Sequence, residues 1–137
     1  MYKNLIPKLK NILSRDADVL FAYLFGSLAE DREYSESDID IAVYLKSGAM
    51  EYFLKKDKQI LGELALCLHR DDVDLHILNV TPLLLQFEII SQGKIIFCRD
   101  EQARVDFETD VLYRYFDMKP FFDEQRELTM QAIKEGY

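Results

Sequence analysis

A glycine-serine pair followed, ten residues on, by an Asp-x-Asp on an alternating strand constrains this chain more than any other feature. The stretch runs Phe21-Ala-Tyr-Leu-Phe25, apolar and aromatic, then Gly26-Ser27, then a polar run to Ser37, then Asp38-Ile-Asp-Ile-Ala-Val43. Alternation of that kind marks a half-buried β-strand. Side chains two apart point the same way, so Asp38 and Asp40 share one face while Ile39, Ile41 and Val43 fill the other. Two carboxylates on one face offer hard oxygen donors, and Mg²⁺ takes one or two of these, leaving the rest of its shell to water and substrate phosphate. Gly26, at the end of the preceding strand, lets backbone N–H groups converge on phosphate oxygens, and Ser27 adds a hydroxyl. Alone, a Gly-Ser is a turn and a strand Asp-x-Asp is a solvated face. On adjacent elements at this spacing they read together as a site for a metal-bound nucleotide.

The pattern resembles the nucleotidyltransferase superfamily of polymerase-beta type, whose signature of Gly-Ser, a spacer and Asp-x-Asp is met at Gly26, Ser27, Asp38 and Asp40. Members place a third carboxylate on a later strand, and Val73-Asp-Leu-His-Ile-Leu78 supplies Asp74. The resemblance therefore implies catalytic, metal-binding carboxylates at Asp38, Asp40 and Asp74, nucleotide binding at Gly26 and Ser27, two Mg²⁺ ions, and ATP as substrate. In size the chain resembles the minimal members, in particular the MNT antitoxin of HEPN–MNT toxin–antitoxin pairs, over about residues 18–98. That likeness implies transfer of AMP to a tyrosine hydroxyl of a partner HEPN ribonuclease toxin, in a hetero-oligomer. Many minimal members read Gly-Ser-x-Ala-Arg-Gly; this chain keeps Ala29 but carries Glu30 and Asp31 in place of Arg and Gly, with Arg32 as a substitute cation. Two other readings stand beside this one. A small-molecule, antibiotic-type nucleotidyltransferase would add a C-terminal helical domain for its substrate. A binding-only antitoxin would carry a vestigial site, which three retained aspartates disfavour.

Length and charge narrow the partners. The 137 residues suffice for one domain with a real core, and 49% hydrophobic with 31% charged residues is ordinary for a globular chain. No apolar run reaches the length of a membrane span and the N-terminus lacks a signal-peptide core, so a cytoplasmic protein is expected. A net charge of −8 repels polyanions, which argues against a DNA or RNA acceptor and suits a nucleotide carried with Mg²⁺ or a basic protein partner.

Periodicity predicts an α/β (α+β) fold: a single mixed sheet of about four strands flanked by helices, a palm-like core at about residues 18–98, and a helical tail at about 101–135, all in one domain, 1–137. The expected elements are a helix at Tyr2–Arg15, strands at Asp18–Phe25 and Ser37–Leu45, and a short helix or turn at Ser27–Arg32. A helix at Met50–His69 follows, with Phe53, Ile60, Leu61, Leu64 and Leu68 inward, then a strand at Val73–Leu78. Thr81-Pro82 reads as N-cap and first-turn proline of a helix closed by Gly93. A strand at Lys94–Cys98 and a helix from Glu101, interrupted near Pro120, complete the chain. His76 falls beside Asp74, either to orient a carboxylate or as a strand histidine with a structural hydrogen bond. His69 reads as a helix C-terminal residue. Cys67 and Cys98 read as buried free thiols, Lys46 as a solvated loop cation or a triphosphate contact, and the aromatics from Phe107 to Phe122 as core rather than docking surface.

Overall fold

The computed structural model describes residues 2–26 and 38–135. Helix α1 (Tyr2–Ser14) leads into strand β1 (Val19–Phe25), and the chain continues with β2 (Ile39–Leu45), α2 (Met50–Leu68), β3 (Val73–Ile77), a 3₁₀ turn at Leu78–Val80, α3 (Leu83–Gln92), β4 (Lys94–Cys98) and α4 (Glu101–Lys134). The four strands form one mixed sheet in the order β3-β2-β1-β4. β1 runs antiparallel to β2 and β4, while β2 and β3 are parallel. The parallel pair needs a crossover, and α2 supplies it.

Both faces of the sheet are covered, which is why β1 and β2 read as nearly continuous apolar runs. On one face Leu9, Ile12 and Leu13 of α1 and Phe53, Ile60 and Leu64 of α2 pack on Ala22, Leu24, Ile41 and Val43. On the other, Ile89 of α3 and Phe107 and Val111 of α4 pack on Phe21, Tyr23 and Ala42. Phe21 stacks on Tyr44 with ring centroids 4.8 Å apart, and Phe107 lies 5.0 Å from Tyr44. Tyr23 donates a short hydrogen bond from its hydroxyl to Glu108, which ties α4 to the centre of the sheet.

At the end of β2 remote from Asp40, charge is satisfied by long-range pairing. Lys56, almost fully buried on α2, places Nζ 2.5 Å from Asp16 Oδ2 and 3.5 Å from Asp18 Oδ2. Arg99 donates to the carbonyls of Ser14, Asp16 and Val19. Asn79 clips the turn after β3 to the end of β2, accepting from Leu45 N and donating to Leu45 O, both at 2.9 Å.

Several expectations need correcting. α4 is continuous through Pro120 rather than interrupted: the 34-residue helix spans about 51 Å at 1.5 Å per residue. The lost N–H costs one intrahelical bond at an exposed position, and the helix continues on both sides of it. Thr81 does not cap α3. Its Oγ1 donates to Ile77 O at 2.7 Å, drawn back by the 3₁₀ turn, and Pro82 takes the N-cap position. Cys67 is exposed and Cys98 half-buried. The apolar stripe of α2 runs through Ile60, Leu64 and Leu68, and Cys67, about 100° away from Leu68, falls toward solvent. The aromatic tail is core only as far as Val111: Tyr113, Phe116 and Phe121 are exposed, and Tyr115 and Phe122 half-buried, because the sheet ends while the helix goes on. Gly93 does close α3, and His69 caps α2 in the left-handed region at φ 54°. The turn or helix expected at Ser27–Arg32 lies outside the described residues.

Candidate active site

The site is assembled by strand register. Phe25, the last residue of β1, pairs with Asp40, and Asp40 pairs with Asp74 across the parallel β2–β3 ladder. Side chains at paired positions of neighbouring strands share a face, so Asp40 and Asp74 stand side by side on strands about 4.8 Å apart. They share the face of Ala42, the one covered by α3 and α4. Asp38, exposed and one residue ahead of β2, precedes Asp40 by two.

Gly26 completes the corner. It adopts φ +78°, a backbone that favours glycine, and a Cβ there would fall 2.3 Å from Asp40 Oδ2. Two constraints thus meet at one residue: the left-handed turn that ends β1, and the space the Asp40 carboxylate occupies. Asp40 is half-buried, and burial pushes its carboxyl pKa up, with the charges of Asp74 and Asp38 adding and His76 opposing.

His76 lies two residues after Asp74 on β3. Its Nε2 is 3.3 Å from Asp74 Oδ2, and its ring packs 5.5 Å from that of Phe25. On the far side, Arg70 forks onto Asp72, with Nε 2.7 Å from Oδ1, and Asp72 O receives Ile39 N at 3.0 Å. The Asp72 hydrogen bond raises the Arg70 pKa, and the charge of Asp38 contributes in the same sense.

Among the described residues no three of His, Cys, Asp and Glu are gathered closely enough to close on a metal ion as they stand. Like charges hold apart, and Asp74 turns toward His76. The donor set nonetheless fits a hard divalent cation: carboxylate oxygens only, two of them opposite in register, with the remaining shell open to water and phosphate. Asp40 and Asp74 are therefore brought together with Gly26, Asp38 stands beside them, and Ser27 and Arg32 lie outside the described residues. Lys46 is excluded. It sits six residues along from Asp40, about 20 Å at strand rise, and pairs with Asp18 at 3.9 Å.

Sequence reasoning missed two groups. Asp57, on α2, is close enough to His76 and Asp74 for their charges to act on it, and its Oδ1 is buried without a hydrogen-bond partner. An acid interposed among Phe53, Ile60 and Leu64 was the available signal. Arg70 carried none, since its place beside Asp38 comes from the α2–β3 crossover.

Comparison with known proteins agrees with this geometry. The sequence matches the family described as polymerase beta, nucleotidyltransferase, over residues 7–102. The chain belongs to that family. Curated protein sequences give no match. A solved toxin–antitoxin with AMP-PNP superposes with a TM-score of 0.76 at 24% identity, covering 91% of this chain and 98% of that one. A tri-AMPylated Shewanella oneidensis HEPN toxin in complex with MNT antitoxin gives 0.72 at 24% identity, covering 95% and 99%. A mutant of the toxin–antitoxin MntA-HpeT gives 0.71 at 25% identity, covering 93% and 97%. These likenesses establish the fold, one open mixed sheet flanked by helices with a long C-terminal helix, along nearly the whole of both chains.

Proposed function

We propose that this protein is a cytoplasmic, single-domain, Mg²⁺-dependent nucleotidyltransferase that moves AMP from ATP to a tyrosine hydroxyl of a partner HEPN ribonuclease toxin, and so acts as its antitoxin. The observation that carries the reading is the juxtaposition of Gly26, Asp40 and Asp74 at three neighbouring strand ends. Family membership supports the reaction class, and the similar solved complexes, one with AMP-PNP and one with an AMPylated toxin, support the reading of nucleotide and partner.

In this reading the Gly26-Ser27 backbone and the Ser27 hydroxyl hold the β- and γ-phosphates and so aim the α-phosphorus for in-line attack. Asp38, Asp40 and Asp74 would hold Mg²⁺, which when bound neutralises phosphate charge and lowers the pKa of the acceptor hydroxyl. Asp74 takes the hydroxyl proton as the new bond from oxygen to the α-phosphorus forms and the bond to pyrophosphate breaks. His76, touching Asp74, fixes the orientation of that carboxylate. The net charge of −8 suits a basic, RNA-binding partner and speeds its encounter.

Intact-mass measurement of the partner, before and after incubation with this protein and Mg²⁺-ATP, tests the proposal. Added AMP on a tyrosine is the expected result. A partner left unmodified, with growth still rescued by an Asp38→Asn/Asp40→Asn variant, would establish neutralisation by contact alone.

A further inference from the structure

α2 ends by turning through His69 in the left-handed region, and the backbone N–H of the next residue, Arg70, donates to Ala65 O at 3.2 Å. The Arg70 side chain forks onto Asp72: Nε stands 2.7 Å from Oδ1, and Nη2 donates to Oδ2. Asp72 holds a defined corner of the site. Its carbonyl accepts from Ile39 N at 3.0 Å, one step ahead of the first pair of the β2–β3 ladder, Ile39 with Val73. Asp38 holds the matching place just ahead of β2. Val73 is buried among side chains of α1 and α2, so Asp72, like Asp74, belongs to the other face, that of Asp40. The guanidinium of Arg70 therefore stands one strand across from Asp38, whose charge acts on it.

As a stabilising pair the fork is weak. Arg70 and Asp72 leave 27% and 29% of their side chains exposed, and ion pairs so open to water contribute little to stability. Its flank of the site says what it can meet. In the proposed reaction the β- and γ-phosphates lie at the Gly26 turn, which ends β1. Arg70 lies beyond β2, at the start of β3, two strand spacings or roughly 10 Å away. In-line displacement puts the attacking oxygen and the leaving pyrophosphate on opposite sides of the α-phosphorus. With pyrophosphate leaving toward β1, the accepting hydroxyl enters from the side of β3, where Asp74 takes its proton. Arg70 is on that flank. A guanidinium is a planar fork of five N–H donors that matches carboxylate and phosphate oxygens, and one already held by Asp72 has less freedom to lose on binding.

We propose that Arg70 binds an oxyanion that the acceptor carries beside its hydroxyl, either a carboxylate of the partner or the phosphate of an AMP already attached. The inference rests on the reading of the protein as an AMP transferase. It adds the flank from which the acceptor approaches, and a residue that reads it.

NMR of the Arg70 Nε–H group in the full chain tests the site without catalysis, using phenyl phosphate as the probe in the presence of Mg²⁺ and AMP-PNP, with phenol as its control. Phenyl phosphate is expected to shift the resonance, and phenol to leave it in place. In transfer to the partner, Arg70→Met should raise the KM for the acceptor at least about tenfold, as loss of a charge-assisted contact does, with Mg²⁺-ATP affinity kept within about threefold. Asp72→Asn breaks the same fork but keeps the cation, and should cost less than about threefold. A loss confined to the second and later additions of AMP identifies the attached phosphate as the anion, and a loss at the first addition identifies a carboxylate of the partner. No shift with phenyl phosphate, equal behaviour of the two variants, or a loss of Mg²⁺-ATP affinity in Arg70→Met overturns the assignment. A wild-type protein that never modifies its partner overturns the transferase reading instead, and the NMR arm still reports whether an oxyanion binds at Arg70.

Discussion

Replacing Gly26 with alanine probes the corner of the site through a single methyl group. The new Cβ meets two obstacles: a backbone at φ +78°, and Asp40 Oδ2 at 2.3 Å. The first costs about 1–2 kcal/mol for an L-residue. The second has a cheap relief, because the obstacle is the far end of a side chain, and Asp40 can rotate away. Gly26→Ala should therefore lose about 1–2 kcal/mol of stability, seen in urea unfolding and as a fall in Tm of about 4–8 °C for a domain of this size. The function should suffer more than the fold, since the displaced carboxylate is the one at the centre of the cluster. Affinity for Mg²⁺-ATP is expected to drop at least tenfold, about 1.4 kcal/mol, by calorimetry. Gly62→Ala is the matched control. Nothing lies within 4 Å of a Cβ built at Gly62, inside α2, so that substitution should gain about 0.5–1 kcal/mol and leave nucleotide binding alone. A Gly26→Ala protein of wild-type stability that binds Mg²⁺-ATP normally would refute both halves of the reasoning.

Asp40→Asn should stabilise the ligand-free protein. With its pKa raised in the fold, Asp40 subtracts stability as pH rises from the ordinary value of 3.8 through the raised one, so the variant should melt higher at neutral pH, equally at low pH, and lose the Mg²⁺-ATP shift in Tm. Lys56→Ala leaves Asp16 without its cation and Asp18 with only the more distant Lys46. A loss of about 2–3 kcal/mol is expected in denaturant, less than for a fully sealed pair because Asp18 keeps 36% of its side chain exposed. Deleting residues 121–137 removes an exposed stretch of α4, so Tm should stay within a few degrees, while affinity for the partner, measured by interferometry, should fall at least tenfold if Phe121 and its neighbours anchor it. A large fall in Tm together with lost nucleotide binding would instead make that stretch part of the core.

What could be read from the residues was whatever repeats locally. Strands β1 to β3 alternate or run apolar over five to seven residues, whereas the parallel pairing of Asp40 with Asp74 is set by the α2 crossover and leaves no local trace. Pro120 misled because a proline acts on one hydrogen bond, and α4 at that point carries no tertiary packing that a break would serve. The aromatic tail misled for a related reason: helical spacing gives Phe116 and Phe121 a face but not something to cover it. Asp57 and Lys56 were unreadable because their meaning is long-range. One lies close to a residue 19 positions on, His76, and the other pairs with one 40 positions back, Asp16.

The two ends of the sheet are built to opposite electrostatic rules. At one end, Asp16 and Asp18 are answered by Lys56, and the carbonyls around them by the guanidinium of Arg99. Those charges are satisfied within the chain, and they hold α1, β1 and α2 together without help. At the other, Asp40 lies in the field of Asp74 and Asp38, and Asp57 in that of Asp74, with His76 opposing at both and Arg70 near Asp38. Burial, with the charges of Asp74 and Asp38 adding, raises the pKa of Asp40, and a buried oxygen of Asp57 has no hydrogen-bond partner. A fold selected for stability alone would pair or delete such groups. Here the pairing at the first end contributes stability that offsets the cost of the unpaired, partly buried carboxylates at the second. A variant that removes one of these charges, as Asp40→Asn does, should therefore raise the stability of the chain and weaken whatever the cluster binds.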